Sequence, residues 1–180
     1  MRSDDNRNVR ERARAAEGDF LAFYDDALPH VYGYLARRCG PPSVAEDLTA
    51  ETFLAAVDAV HRSNPPPVTL PWVMGVARHK LVDHWRRQAR DERRFDLLAG
   101  SVAEPADPWD AELDAVQARR VLERLAAQHR AVLTLRYLDD LPVATVAELL
   151  GRSLHATEAL LVRARAAFRR AYEGEESHHG

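Results

Sequence analysis

Pro142-Val143-Ala144-Thr145-Val146-Ala147-Glu148-Leu149-Leu150-Gly151-Arg152-Ser153-Leu154 is the stretch whose reading decides the fold. Pro142 opens a short helix over 143–150, because a helix start tolerates a missing N–H. Gly151 supplies the left-handed residue that ends a helix, and Ser153 can cap the next one. The helix before, Gln128 to Leu138, carries Val132, Leu133, Leu135 and Leu138 and is closed by Asp139-Asp140. In the helix after, Leu154 to Arg170, residues Leu161, Ala164, Phe168 and Ala171 recur at core-facing spacing. Arg163 and Arg170 share another stripe, as do Arg165 and Arg169. Helix, tight turn and helix together read as a helix-turn-helix, whose second helix enters a DNA major groove N-terminal end first. His155, Thr157 and Glu158 stand at that end. The plainer alternative is a helical hairpin with a solvated basic face.

Working outward, Leu113, Val116, Val121, Leu122 and Leu125 begin this second helical unit. Before them, 95–110 reads as a flexible acidic linker with Gly100, Pro105, Pro108 and no basic residue. A second arginine-laced helix precedes the linker, from Trp72 to Arg87, with Pro71 in its first turn. The loop His61 to Pro67 contains three consecutive prolines and is stiff and non-helical. Further back, Ser43 and Glu46 have capping-box spacing for a helix carrying Val44, Leu48, Phe53, Leu54, Ala56 and Val57. An earlier helix presents Phe20, Phe23, Tyr24, Ala27 and Leu28 on one face, with a kink or restart expected at Pro29. Without β-type alternation, the expectation is all-α: two small helical domains joined by the linker, the C-terminal one a helix-turn-helix. The boundaries are a polar extension at 1–17, a first domain at 18–94, the linker, a second domain at 111–173 and a flexible tail at 174–180.

The composition narrows the function. Nearly half of the 180 residues are hydrophobic (46%), enough for packed cores. No run approaches the roughly 20 apolar residues of a membrane helix, and the charged N-terminus has no secretory apolar block. A cytoplasmic protein without membrane insertion is expected. Cys39 is the single cysteine, which excludes an internal disulfide and a cysteine-built zinc site. The net charge of −3 is unusual for a DNA binder, but counterion release depends on local cationic clusters rather than on the average. The acid lies elsewhere, at Asp4-Asp5, Asp25-Asp26, the linker and the tail. Weak intrinsic DNA affinity and dependence on a partner follow. Lys80 is the only lysine beside 24 arginines, which reflects GC-rich coding as readily as phosphate recognition.

Three stretches together resemble the extracytoplasmic-function (ECF) sigma factors of bacterial RNA polymerase. Ala45-Glu46-Asp47-Leu48-Thr49-Ala50-Glu51-Thr52-Phe53 is similar to that family's A-E-D-L-x-Q-[ED]-T-F segment. Pro71 to Asp83, beginning Pro71-Trp72-Val73-Met74-Gly75-Val76-Ala77-Arg78-His79-Lys80, resembles its P-W-L-x-x-I-A-R-N helix. Leu125 to Gly151, with His129-Arg130-Ala131-Val132-Leu133-Thr134-Leu135-Arg136-Tyr137, resembles the opening of its C-terminal domain. Ala50, His79 and Thr145 depart from the family's glutamine, asparagine and glutamate, and the run from His155 to Leu161 is less basic than usual.

The resemblance implies that Glu46, Asp47, Glu51, Thr52 and Phe53 dock on core RNA polymerase. It implies minus-ten promoter contacts from Arg62, Asn64, Arg78, His79, Lys80, Arg86, Arg87 and Arg90. Minus-thirty-five contacts would come from Arg152, Ser153, His155, Thr157, Arg163 and Arg165. An anti-sigma factor is an implied partner. Duplex melting costs about 1.4 kcal/mol per base-pair step in stacking, and a stiff loop beside a cationic helix suits capture of the opened strand.

Other features carry plainer readings. Trp72 sits beside Val73 and Val76 and is read as a packing residue before a base-stacking one, whereas Trp85 extends the Val73, Ala77, Leu81 stripe and is open equally to either reading. Asp25-Asp26 and Asp139-Asp140 lack a further acid one turn on and are solvated caps rather than metal sites. His178-His179 has no companion ligands for zinc. With no phosphate loop, dinucleotide fingerprint or nucleophile elbow, neither enzymatic activity nor a cofactor is expected. The competing readings are a conventional helix-turn-helix regulator acting on operators without polymerase, and a protein-binding helical adaptor.

Overall fold

The computed structural model describes the backbone over 3–62, 66–95 and 115–179, and side-chain surroundings over 20–62, 66–92 and 115–174. All regular structure there is helical: α1 (Ser3–Cys39), α2 (Pro42–Val60), α3 (Leu70–Phe95), α4 (Ala115–Arg124), α5 (Ala127–Leu133), a π-helical turn (Thr134–Leu138), α6 (Val143–Leu150) and α7 (Leu154–His179). The fold is therefore all-α, with α1 to α3 and α4 to α7 as its two helical clusters. Asn64 and the expected linker after Phe95 lie outside the described residues.

Two compact units divide inside α3, between Lys80 and Leu81. In the first, α1 and α2 pack together around Val31, Leu35, Ala45, Leu48 and Ala56, each almost fully buried. Tyr24 of α1 meets Phe53 of α2 edge to face, ring centres 4.6 Å apart. On α2 the buried residues are Ala45, Leu48, Thr49, Thr52, Phe53, Ala56 and Ala59, one continuous helical stripe. Pro29 does not restart the chain: α1 runs through it, losing one backbone hydrogen bond. The capping box also fails to form. Pro41 occupies the cap position of α2 without a side-chain cap, and two consecutive prolines place the helix start ahead of Ser43.

In the second unit α7 is the spine, packed against α4, α5 and α6. Val121, Val132, Leu133, Leu135, Val146, Leu160 and Ala164 are buried in it, and Leu81, Val82 and Trp85 of α3 are buried as well. Burying a side chain of this size contributes about 1.5–3 kcal/mol. The helix expected from Gln128 to Leu138 changes character midway: the Asp139 amide donates to the Thr134 carbonyl at 3.0 Å, the i to i+5 bond of a π turn. The backbone of α7 stays helical to His179, where a tail is expected from 174.

Candidate nucleic-acid interface

The turn between α6 and α7 is built by local chemistry. Gly151 has φ +61° and ψ +42°, the left-handed conformation anticipated for it. Its amide donates to the Glu148 carbonyl, and the Arg152 amide to the Ala147 carbonyl, both at 3.0 Å. These are the two bonds of a Schellman ending, which satisfy carbonyls the helix leaves open. Ser153 caps α7, its Oγ accepting from the Ala156 amide at 3.2 Å.

This geometry sorts the residues expected to face the upstream element. Ser153, His155 and Arg163 are exposed, and Arg152 is half-buried, 3.5 Å from the Gln128 side-chain oxygen. Thr157 is different: it is fully buried, its hydroxyl donating to the Ser153 carbonyl at 3.0 Å. A base-reading role for Thr157 is thus replaced by a packing role at the start of α7. Arg165 is half-buried, and its Nε is enclosed without a hydrogen-bond partner among the described residues.

On α2, Glu46 and Asp47 are exposed and Glu51 half-buried, so these carboxylates remain on the surface. Thr52 and Phe53 do not: they are 0% and 6% exposed. The Thr52 hydroxyl donates to the Leu48 carbonyl at 2.7 Å, and Phe53 is held against Tyr24. Both support the helix from inside instead of offering a docking contact, since the helix face that carries them is the one turned to the core.

The minus-ten candidates are also divided. Arg62, His79, Arg87 and Arg90 are exposed and Arg78 is half-buried. Lys80 forms an ion pair with Glu51 at 3.4 Å, linking one residue expected on DNA to one expected on polymerase. Both side chains are about a third or more exposed, so the pair contributes at most about 1 kcal/mol. Arg86 lies 3.4 Å from Asp83 and donates to the Leu149 carbonyl at the end of α6. Trp85 is 1% exposed, a packing residue, and Trp72 is half-buried.

Several supporting residues carry no local sequence signal. Thr69 accepts from the Trp72 amide through its hydroxyl, at 3.4 Å, and from the Val73 amide through its carbonyl, at 3.0 Å. Glu92 accepts from the Ala127 amide at the start of α5, at 2.9 and 3.2 Å. Arg130, only 7% exposed, donates to the Gln88 side chain at 3.2 Å. His129 is half-buried, and burial, then the positive charges of Arg163 and Arg170, lower its pKa from the usual 6.5. Among the described residues no group of acidic, histidine or cysteine side chains is arranged to hold a metal ion, and no helix is long and apolar enough to cross a membrane.

Comparison with known proteins gives this arrangement a family. Sigma-70 region 2 matches residues 23–91, and Sigma-70 region 4 matches residues 115–168. The ECF RNA polymerase sigma factor SigM of Bacillus subtilis is 30% identical over 79% of this chain and 88% of its own length. The chain belongs to the ECF sigma factors. Sigma factors are not enzymes. The ECF sigma factor BldN of Streptomyces coelicolor is 31% identical over 86% of this chain, which spans only 61% of BldN. The sigma factor RpoE of Bartonella quintana, solved in complex with the anti-sigma factor NepR, shares the fold with a TM-score of 0.52 at 20% identity, over 86% of this chain and 97% of that one.

Proposed function

We propose that this sigma factor joins core RNA polymerase, engages promoter DNA at the minus-ten and minus-thirty-five elements and promotes strand opening for transcription initiation. The observation that carries the reading is the order of the two matched segments, region 2 before region 4, with exposed cations on each. The domains assigned are 18–94 for polymerase and the minus-ten element and 111–173 for the minus-thirty-five element. Glu46, Asp47 and Glu51 are the docking carboxylates for core polymerase. Arg62, Asn64, Arg78, His79, Lys80, Arg86, Arg87 and Arg90 serve the minus-ten element as phosphate and single-strand contacts. Arg152, Ser153, His155, Arg163 and Arg165 serve the minus-thirty-five element, with Thr157 fixing the helix that carries them.

An overall acidic chain with local cationic faces binds DNA weakly by itself, which fits a subunit that acts inside a larger assembly. An anti-sigma factor is the partner that would hold it inactive. Run-off transcription from a promoter library, with and without core polymerase from a GC-rich bacterium, tests the reading. Transcripts only when both are present are expected. Duplex binding by the chain alone, with no effect on initiation, would instead make it a conventional helix-turn-helix regulator.

A further inference from the structure

Arg86, Arg90 and Arg152 line one cavity of about 510 Å³, together with Trp85, Leu150 and Leu160. All six belong to the second compact unit. Among the described residues no carboxylate lines it, so a chain of net charge −3 gathers three cations around one concavity. A cleft lined by one sign of charge concentrates the opposite sign. Arg86 and Arg90 stand one turn apart on α3, and Trp85 and Ala89 form the neighbouring row one position back. A cationic row and an apolar row therefore run side by side along the cavity.

The backbone around it is compatible with an anion. The C-terminal end of α6 reaches the cavity at Leu150 and Gly151, and a bare helix C-terminus repels anions. Here its carbonyls are occupied. Ala147 and Glu148 accept from the Arg152 and Gly151 amides, both at 3.0 Å, and Leu149 accepts from Arg86. Asp83, 3.4 Å from Arg86, lies outside the lining, and a guanidinium has more N–H donors than these two contacts use. Trp85 is 1% exposed, and its indole N–H is enclosed with no acceptor among the described residues. A buried donor left in that state is costly, and an acceptor at the cavity wall relieves it.

We propose that the cavity binds a nucleoside polyphosphate, with its phosphates on Arg86, Arg90 and Arg152 and its base on the apolar row. Guanidinium forks match phosphate oxygens bidentately, and the volume falls within the range of small-molecule sites, about 300–1,000 Å³. Duplex DNA does not fit such a space, whereas one nucleotide does. The site stands apart from the promoter reading, although the three arginines appear in both. A DNA strand is the other source of phosphate, and the comparison probes separate the two.

The full chain is titrated with ATP in magnesium-free buffer by calorimetry, while the Trp85 indole resonance is followed by NMR. Inorganic triphosphate, adenosine and a mixed-sequence single-stranded 12-mer are the comparison probes. ATP should bind one to one, shift the Trp85 resonance and lose affinity as salt rises. Triphosphate, without a base, should bind about tenfold more weakly, and adenosine more weakly still. Removing one charge-assisted contact, in Arg90→Met or Arg152→Met, should weaken ATP about tenfold. Arg120→Met removes the same charge from an exposed site of α4 and should change ATP affinity less than about twofold. Ala89→Leu crowds only the apolar row, so it should weaken ATP and leave triphosphate unchanged.

No binding of ATP, or equal losses in Arg120→Met and the two cavity variants, would overturn the site. Equal affinity for ATP and adenosine would show that phosphate is not recognised, and equal affinity for ATP and triphosphate that the base is not. If one equivalent of the 12-mer displaces ATP, DNA phosphate is the occupant and the proposal fails. Should Arg152→Met lose helical circular dichroism, Arg90→Met, at an exposed residue, carries the comparison alone.

Discussion

Replacing Gly151 by alanine and, separately, by asparagine divides two costs that meet at one Cα. Any L-residue placed at φ +61° bears the steric penalty of the left-handed region, about 1–2 kcal/mol. Asparagine bears less of it, because its side chain bonds locally. Either substitution adds a Cβ that would lie 2.9 Å from an Arg86 nitrogen, so the guanidinium must shift and its bond to Leu149 weakens. Arg86 is about a third exposed (36%), so solvent screening limits that loss to about 1 kcal/mol. Alanine should therefore cost about 2–3 kcal/mol in all, and asparagine about 1 kcal/mol less than alanine. In a unit of about 100 residues, 1 kcal/mol moves the melting temperature by about 4–8 °C. Thermal melts followed by circular dichroism, with Arg86→Met reporting the second cost alone, measure the difference. Equal melting of the alanine and asparagine variants would refute the backbone-strain argument and leave Arg86 displacement as the whole effect.

The remaining expectations pair stability with function. Arg163→Ala should leave stability within about 0.5 kcal/mol and lower the salt slope of DNA binding by the polymerase complex by about one; an unchanged slope would remove Arg163 from the interface. Thr157→Ala should do the reverse, costing about 1 kcal/mol in a denaturant titration without changing that slope. Phe53→Ala should cost about 3–5 kcal/mol, and core-polymerase binding should fall only in proportion to the folded fraction, measured by pull-down across temperature. His129 has a folded-state pKa below the usual 6.5, so the unfolded chain binds its proton first as pH falls. Its contribution is complete above 6.5 and is lost as pH drops toward the folded value. Urea melts from pH 7.5 to 5 should show stability falling with acid, with a shallower fall in His129→Gln.

What could be read from the sequence was whatever residues within a few positions decide. Pro142 and Gly151 bound α6 because one lacks an N–H and the other lacks a Cβ, and Ser153 caps α7 for an equally local reason. The division into an N-terminal and a C-terminal helical set was visible through prolines, the acidic stretch and changes of periodicity. Pro29 misled because a long helix can absorb one missing hydrogen bond when its Val31 and Leu35 face is buried. Motif likeness puts Thr52 and Phe53 on a surface, and its place at the N-terminal end of the second helix puts Thr157 there, but the buried stripe of α2 and the Ser153–Thr157 bond place all three inside. The partners of Glu92, Arg86 and Gln88 lie 35, 63 and 42 residues away, and no local pattern announces a contact across such a gap. The exposed cations of the candidate interface were legible; the subset already engaged by other groups was not.

The π turn from Thr134 to Leu138 has a consequence for chain length. It closes on a carbonyl five residues back, so it contains one residue more than an α turn spanning the same step. That residue is absorbed within a single widened turn: Leu135 stays fully buried, while Tyr137 and Leu138 are left 42% and 49% exposed. A chain one residue shorter here could close an ordinary α turn and still deliver Pro142 to the start of α6. An alignment gap at this point would mark a tolerated change in helix winding, with the hydrophobic register on either side intact.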